Sequence, residues 1–494
     1  MNALLVWPKL PLTYCGYEYI LPIVGKKSAN IPLGILTVAA MLPKNWNIKF
    51  IDTNVSELKL MDILSVDAVF ISAMLIQKKS VEDIIRLANK YKKPVIMGGP
   101  YATACYKEIK GVKHFILGEA ENNLPEFLND LKKGLPKPIY KNDKKPDLEK
   151  IPPPLPRLDL INPDDYLCTS IQYSRGCPFH CEFCDVVEML GHKPRTKSIE
   201  RMLAEFNHLY SYGWRGNVFI VDDNFIGNKL KAVKLLPYII DWQKRHKYPF
   251  DLFTEVSMNV VEDGELLRLM REAGFGSLFM GIETPNKKAL KGIGKTQNLR
   301  RDSLEVIRTV QNAGMEVIGS FIVGFDDDDY SIFQQQMQFI QESGIPLALV
   351  GMLTALPGTR LFKRLKKEGR LLLRDSSGIS MNLKLNFEPK MGYDNLLNGY
   401  KILIKELYSP KLYFKRCLSL FDNLKSNGQA RKFKLEYIKI LYRVLKTQIF
   451  SPYGLHYLQY LIVALLTKPK FFTEIFRLGL EYHHIYTITN NILK

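Results

Sequence analysis

The stretch YSRGCPFHCEFCDV (residues 173–186) holds Cys177, Cys181 and Cys184 in a C-x3-C-x2-C spacing, in a chain with only seven cysteines. Three thiols on one short loop can supply three thiolates, the natural ligands of iron–sulfur clusters and of zinc. Structural zinc takes four ligands, usually as two separated pairs. His180 is the candidate fourth, but it is wedged between Cys177 and Cys181, where simultaneous coordination is awkward. Three ligands suit a 4Fe–4S cluster that leaves one iron open to a substrate or cofactor. A chance grouping in a loop is the bland alternative. Cys15, Cys105, Cys168 and Cys417 are isolated and read as small buried apolar residues.

Such a loop needs a rigid carrier. Strand patterns recur at 168–174, 217–223, 251–257, 277–283, 316–325 and 347–356, with helical patterns between them. Six βα units over 166–370 are too few for a closed eight-fold barrel and suit an open, partial (βα)6 barrel. Ahead of it, 1–135 alternates apolar strand candidates (3–7, 48–52, 68–75, 94–99, 114–119) with helices. That pattern predicts a parallel sheet covered on both faces, a doubly wound Rossmann-like domain whose ligand lies at the carboxyl ends of the strands. Residues 136–165 are Pro-rich and charged and predict an extended linker. Over 371–494 the β pattern stops, and amphipathic segments predict a basic, mainly helical C-terminal domain.

The formal charge of +19 is concentrated. Residues 360–494 hold 25 Lys or Arg against 9 Asp or Glu, a surplus of 16, so the body is close to neutral and nucleic-acid binding is not expected. The N-terminus lacks a basic region and cleavage site of the secretory kind, and the odd cysteine count argues against a disulfide framework; a cytoplasmic location is expected. The uncharged stretch TQIFSPYGLHYLQYLIVALLT (447–467) is too interrupted to span a bilayer. With basic and aromatic flanks it suits peripheral contact with an anionic membrane, or a helical subdomain packed on the barrel.

With the CxxxCxxC loop following a strand, the sequence resembles the radical S-adenosylmethionine (SAM) superfamily. The resemblance implies a 4Fe–4S cluster held by Cys177, Cys181 and Cys184, whose open iron chelates SAM, and a 5′-deoxyadenosyl radical made by one-electron cleavage. It implies an external donor such as a flavodoxin or ferredoxin. Phe183, just before the third cysteine, stands where the family favours an aromatic near the adenine. VDDNF (221–225) places Asp222, Asp223 and Asn224 at a strand end, for the SAM amino end or, more blandly, as a turn and helix cap. Glu283 in GIET would accept from a ribose, with Glu255, Ser257 and Asn259 as weaker candidates. GSFIVGFDDDD (319–329) resembles the adenine-contact strand, with Gly324 permitting close approach; its acidic run reads as a solvated loop and helix start.

The N-terminal region is similar to the cobalamin-binding domains that precede many radical SAM cores, through PLGILTVAAML (32–42), ISAML (71–75), MGGPYAT (97–103) and LGEAE (117–121). The likeness implies cobalamin contacts at Ser72, Gly98, Gly99 and Glu119, with Asp52 a further polar candidate. The D-x-H-x-x-G motif of His-on domains is missing, and His114 reads as a core residue. In layout the chain resembles the hopanoid-methylating radical SAM enzymes. The expectation is a cobalamin-dependent radical SAM C-methyltransferase acting on a lipid or other hydrophobic small molecule. Alternatives are radical ring closure or C–C bond formation on a lipid without methyl transfer, and a non-catalytic iron–sulfur sensor or scaffold.

Overall fold

Leu4, Leu5 and Val6 are wholly buried in strand β1 (Asn2–Trp7), as a strand covered on both faces requires. The computed structural model describes residues 1–372, 383–425 and 436–494. After β1, strand β2 (Ser28–Asn30) leaves for another sheet. The chain then returns through β3 (Asn47–Asp52), β4 (Ala68–Ser72), β5 (Val95–Gly98), β6 (His114–Leu117) and β7 (Ile139–Lys141). With β1 these make a six-stranded parallel sheet in the order β3-β1-β4-β5-β6-β7, with helices on both faces. Strand β7 comes from the Pro-rich stretch: Tyr140 is buried there, and its hydroxyl donates to Asp130 at 3.0 Å.

The second sheet begins with β8 (Tyr166–Ile171), before the short antiparallel pair β9 (Ser174–Arg175) and β10 (Arg195–Thr196). It continues with β11 (Gly216–Ile220), β12 (Phe250–Val256), β13 (Phe275–Glu283), β14 (Glu316–Val323) and β15 (Ala348–Met352). Its order is β15-β14-β13-β12-β11-β8-β2, parallel throughout, so the six expected βα strands gain a seventh edge strand, β2, from the N-terminal region. Side chains alternate across this curved sheet. On β12, Phe250 faces outward against Phe206 and Trp242 of the covering helices, whereas Phe253 and Glu255 are half-buried on the inner face. The result is an open half-barrel with a lumen.

Helices Tyr393–Leu407, Pro410–Asn423, Glu436–Ile449, Gly454–Thr467 and Phe472–Leu493 follow. The wholly buried Arg416 ties them to the barrel by donating to Ile345 O (3.1 Å) and Leu407 O (2.8 Å), replacing the water its charge gives up. The last helix grips the loop between β1 and β2: Thr489 and the Tyr14 hydroxyl are 2.7 Å apart, and His484 Nε2 lies 2.9 Å from Thr13 O. Among the described residues no helix is long and apolar enough to cross a membrane. The basic stretch 431–434 lies outside the described residues.

Candidate active site

Strand ends converge at the mouth of the half-barrel. The cysteine loop leaves β9 through Gly176, whose φ is +94° and where a Cβ would come within 2.7 Å of Gly191 O, so only glycine fits. Buried Asp222 holds the approach: Oδ1 accepts from Tyr173 N (2.7 Å), and Oδ2 from Ser174 N (2.8 Å) and Ser174 Oγ (2.6 Å). Burial pushes its carboxyl up to about 7 against the pull of those donors. Asp223 Oδ2 accepts from Gly176 N at 3.2 Å. Farther along, Glu182 is bound by Arg364 at 2.6 and 3.1 Å, and Glu182 N donates to Ile293 O at 2.9 Å. The loop is therefore fixed at both ends and in the middle.

Cys177, Cys181 and Cys184 are free and only partly buried. Burial raises the thiols of Cys177 and Cys184, and each also feels Cys181; the three share one loop of eight residues, and a bound cluster's positive charge would ionise them. Two amides face the sulfurs: Asn224 Nδ2 lies 3.9 Å from Cys177 Sγ, and Gln297 Nε2 3.6 Å from Cys181 Sγ. The His180 ring lies against His192, centroids 3.8 Å apart.

Beside the loop, β13 ends irregularly. Glu283 has φ +68°, and the register with β14 slips between Gly281 and Glu283. Such strain in a non-glycine residue, together with a bulge, is a frequent mark of a functional strand end. Glu283 forms a buried ion pair with Lys295, leaving Oε2 without a partner. Burial works against the Lys295 charge, but Glu283 holds its pKa above the usual lysine value. Lys295 Nζ sits 5.8 Å from the Phe183 ring centre, and Phe183 lies 6.2 Å from Phe325. Like Glu283 Oε2, Gln297 Oε1 and Asn298 Oδ1 are buried without partners among the described residues. Three orphaned acceptors near three free thiols are what a site for a polar nucleoside beside a cluster requires.

Asn224 also pairs with Ser257, whose hydroxyl lies 2.5 Å from Asn259 Oδ1. Glu255 is half-buried below this network, with no hydrogen bond to its carboxyl among the described residues; burial, then Asp223 and Asp222, pushes it up to about 8. Gly324 takes φ +101°, and its close neighbour is Leu396 of the first C-terminal helix, 2.7 Å from a Cβ built there. The acidic run is less solvated than its composition predicts. Asp328 is buried, accepting from Gly324 N and Phe325 N at 3.0 Å, and Asp326 is bound to Arg364 and Arg370 at 2.7 Å.

Across from the loop lies the carboxyl edge of the first sheet. Ser72 ends β4, Gly98 ends β5, and Gly99 follows with φ +86°. A Cβ on Gly99 would meet Ser72 Oγ at 2.9 Å and Ala73 N at 3.0 Å; one on Gly98 would meet Ile116 O at 3.1 Å. Only glycine lets the ends of β4, β5 and β6 approach this closely, at the edge where the sequence resemblance implies cobalamin contacts. Buried Glu119, just past β6, spends both oxygens on Arg175 (2.7 Å) and Arg195 (2.7 and 3.0 Å), and Glu121 joins Arg175 at 2.8 and 3.1 Å. The first sheet's edge is thus clamped to the base of the cysteine loop. Asp52 is used elsewhere, accepting from Asn54 (2.8 Å) and the Tyr166 hydroxyl (3.0 Å). His114, the sole histidine of residues 1–135, is buried with Nδ1 2.7 Å from Lys137 O.

Arg175, Arg195, Lys295, Gln297 and Asn298 escape sequence reasoning, since no spacing rule separates them from surface polar residues. The one available signal is KGIGKTQN (291–298), which closely follows GIET.

Comparison with known proteins agrees with this anatomy. Residues 27–128 match the B12 binding domain, 171–340 the Radical SAM superfamily and 359–494 a domain of unknown function, DUF4070. The chain is 39% identical to the uncharacterized methyltransferase sll1242 of Synechocystis, covering 88% of this chain and 81% of the relative. It is 35% identical to the hopanoid C-2 methylase of Rhodopseudomonas palustris, over 84% of this chain and 78% of that enzyme. The fold is shared with the cobalamin-dependent S-adenosylmethionine radical enzyme OxsB at a TM-score of 0.64 and 15% identity, over 99% of this chain and 80% of that one. It is shared with the radical SAM methyltransferase TsrM of Kitasatospora setae at 0.56 and 16%, over 74% and 76%. Its cofactors are accordingly a 4Fe–4S cluster, SAM and cobalamin. The chain belongs to the B12-binding radical SAM methyltransferases, the family that includes hopanoid C-2 methylase.

Proposed function

We propose that this enzyme methylates an unactivated carbon of a lipid or another hydrophobic small molecule. One observation carries the reading. Glu119 at the corrin edge is clamped by Arg175 and Arg195, which flank the cysteine loop, so both cofactor edges open on the same mouth, above a lumen lined by Phe219, Phe253 and Phe279. When bound, the cluster and SAM supply a radical that removes a hydrogen, and cobalamin supplies the methyl group.

The chain's own residues orient and exclude water. Cys177, Cys181 and Cys184 hold the cluster. Glu283 offers its free oxygen to a ribose hydroxyl while Lys295 keeps it ionised, and Phe183 and the turn at Gly324 wall the adenine. Asn224 faces the amino end of SAM. Asp222 and Asp223 act by positioning the loop, and Glu255 adds a polar group beneath. Ser72, Gly98 and Gly99 line the cobalamin edge, and Glu119, both oxygens taken by Arg175 and Arg195, joins that edge to the cysteine loop. His114 is committed to Lys137 O, which supports binding without a histidine below the cobalt.

An external one-electron donor such as a flavodoxin or ferredoxin completes the reaction. Peripheral contact with an anionic membrane also belongs to this reading. On helix Gly454–Thr467, Leu455, Ile462 and Leu466 form an exposed apolar face, and residues 437–473 carry five Lys or Arg and no acid.

The test is anaerobic incubation of reconstituted enzyme with SAM carrying a deuterated methyl group, hydroxocobalamin, a strong reductant and a hopanoid-containing lipid extract. A product gaining one labelled methyl group supports the reading. Loss of two hydrogens without label would mean ring closure, and no new lipid product while SAM is cleaved would overturn the lipid class.

A further inference from the structure

The lumen has a foot as well as a mouth. Inner-face residues descend β14 as Ile322, Ser320, Ile318 and Glu316, and pairing sets Gly281 beside Ser320, Phe279 beside Ile318 and Ser277 beside Glu316. From Ser320, level with the SAM wall, to Glu316 is four residues, about 13 Å of strand. That span is apolar: Phe279 and Ile318 line it, and Phe219 and Phe253 stack with centroids 4.6 Å apart.

At the foot, Arg477 of the terminal helix bridges two carboxylates, donating to Glu481 Oε1 at 2.7 Å and to Glu316 Oε2. Glu316 and Glu481 are only 7% and 8% exposed, and each keeps one buried oxygen, Glu316 Oε1 and Glu481 Oε2, with no partner among the described residues. One guanidinium thus serves two acids and leaves two acceptors open. A buried acceptor without a donor is costly unless a ligand supplies one.

The β1–β2 loop lies over this foot. Tyr17 N is 3.2 Å from Nε2 of His484, two turns along the same helix from Arg477, and the two rings lie 5.5 Å apart. Arg477 still leaves 38% of its side chain uncovered, and Cys15, on that loop, is exposed.

We infer that Glu316, Arg477 and Glu481 form the subsite that receives a hydroxyl or amine at the far end of a hydrophobic substrate, closed over by the β1–β2 loop. This gives the DUF4070 region a role: it supplies the polar anchor that sets which carbon reaches the mouth. The inference rests on the hydrophobic-substrate reading above.

Cys15 reports occupancy without any turnover. Full-length protein loaded with cluster and hydroxocobalamin is treated with N-ethylmaleimide, and the Cys15 peptide is followed by mass spectrometry. The probes are a pentacyclic triterpene bearing one terminal hydroxyl and the hydrocarbon of the same skeleton, both carried in cyclodextrin. The alcohol should protect Cys15 at a concentration at least tenfold below the hydrocarbon, and Glu481→Gln should reduce that ratio towards unity. Equal protection by both probes in the unmodified protein would overturn the subsite while leaving the hydrophobic reading intact; this comparison holds even if the variant fails to fold. Protection by neither would overturn the hydrophobic reading and the subsite with it. Labelling is run to completion at mildly alkaline pH, so that a slow thiol still reacts; a Cys15 that stays unlabelled in the folded protein without any probe, yet reacts after denaturation, would overturn the placing of the β1–β2 loop at an accessible subsite.

Discussion

The mouth and the foot of the half-barrel both leave buried acceptors open but assemble them differently. At the mouth, thiols, amides and the Glu283 carboxylate come from strand ends and adjoining loops and point at one another with bonds left unmade. At the foot, Glu316, Arg477 and Glu481 largely neutralise one another, and His484 is sealed between the β1–β2 loop and the terminal helix. A mouth built to hold cofactors depends on individual functional groups, whereas a foot built by docking distant segments depends on their mutual fit.

The largest expected effect tests the mouth. Cys177→Ala, Cys181→Ala or Cys184→Ala should each abolish the cluster's visible absorbance and all SAM cleavage, since a three-thiolate site has no spare ligand. Cys105→Ala or Cys417→Ala should keep both. A stoichiometric cluster in any one loop variant would break the assignment.

Gly99→Val attacks the cobalamin edge by addition rather than removal. Its φ of +86° and the 2.9 Å approach to Ser72 Oγ leave no room for a branched side chain. Strain of about 3 kcal/mol would weaken hydroxocobalamin binding about a hundredfold. Equilibrium dialysis measures it, and cluster content should not change. In the same preparations, the paramagnetic resonance spectrum of bound cob(II)alamin should lack splitting from a protein histidine.

At the foot, pH is the lever. Burial holds His484 down to about 4, below its ordinary value of 6.5. The unfolded chain therefore binds the proton first, and the stability that neutral His484 contributes, complete above its ordinary pKa, is lost as pH falls from there towards the folded value. Between about pH 7 and pH 5 the loss should be about 2 kcal/mol, read from urea melts. His484→Gln should flatten that dependence. If the slope is unchanged, His484 does not tie the loop to the helix.

The smallest effect returns to the mouth. Glu283→Gln keeps shape but loses the charge paired with Lys295, and one charge-assisted hydrogen bond to the ribose should be lost, costing about tenfold in SAM affinity. Unchanged affinity would place the ribose elsewhere.

The mouth was largely legible because its parts are local. The CxxxCxxC spacing, GIET and the Gly-Gly turn each lie at the carboxyl end of one strand, and parallel strands bring such ends together by rule. The fold class followed from the same alternation of apolar runs. What the sequence by itself determined was the spacing of three cysteines on one loop, the two parallel sheets and the small residues at the carboxyl edge of the first. Only the tertiary structure decided that β2 completes the barrel edge, that Glu119 clamps the two sheets through Arg175 and Arg195, and that Lys295 neutralises Glu283. It alone brought the β1–β2 loop to the terminal helix, Tyr17 N lying 3.2 Å from His484 Nε2 across 467 residues of chain. The reason is physical. Spacing within a strand or loop fixes where a side chain points, but pairing between distant charged groups depends on which surfaces bury each other, and any Arg and Glu look alike until that burial removes the water between them.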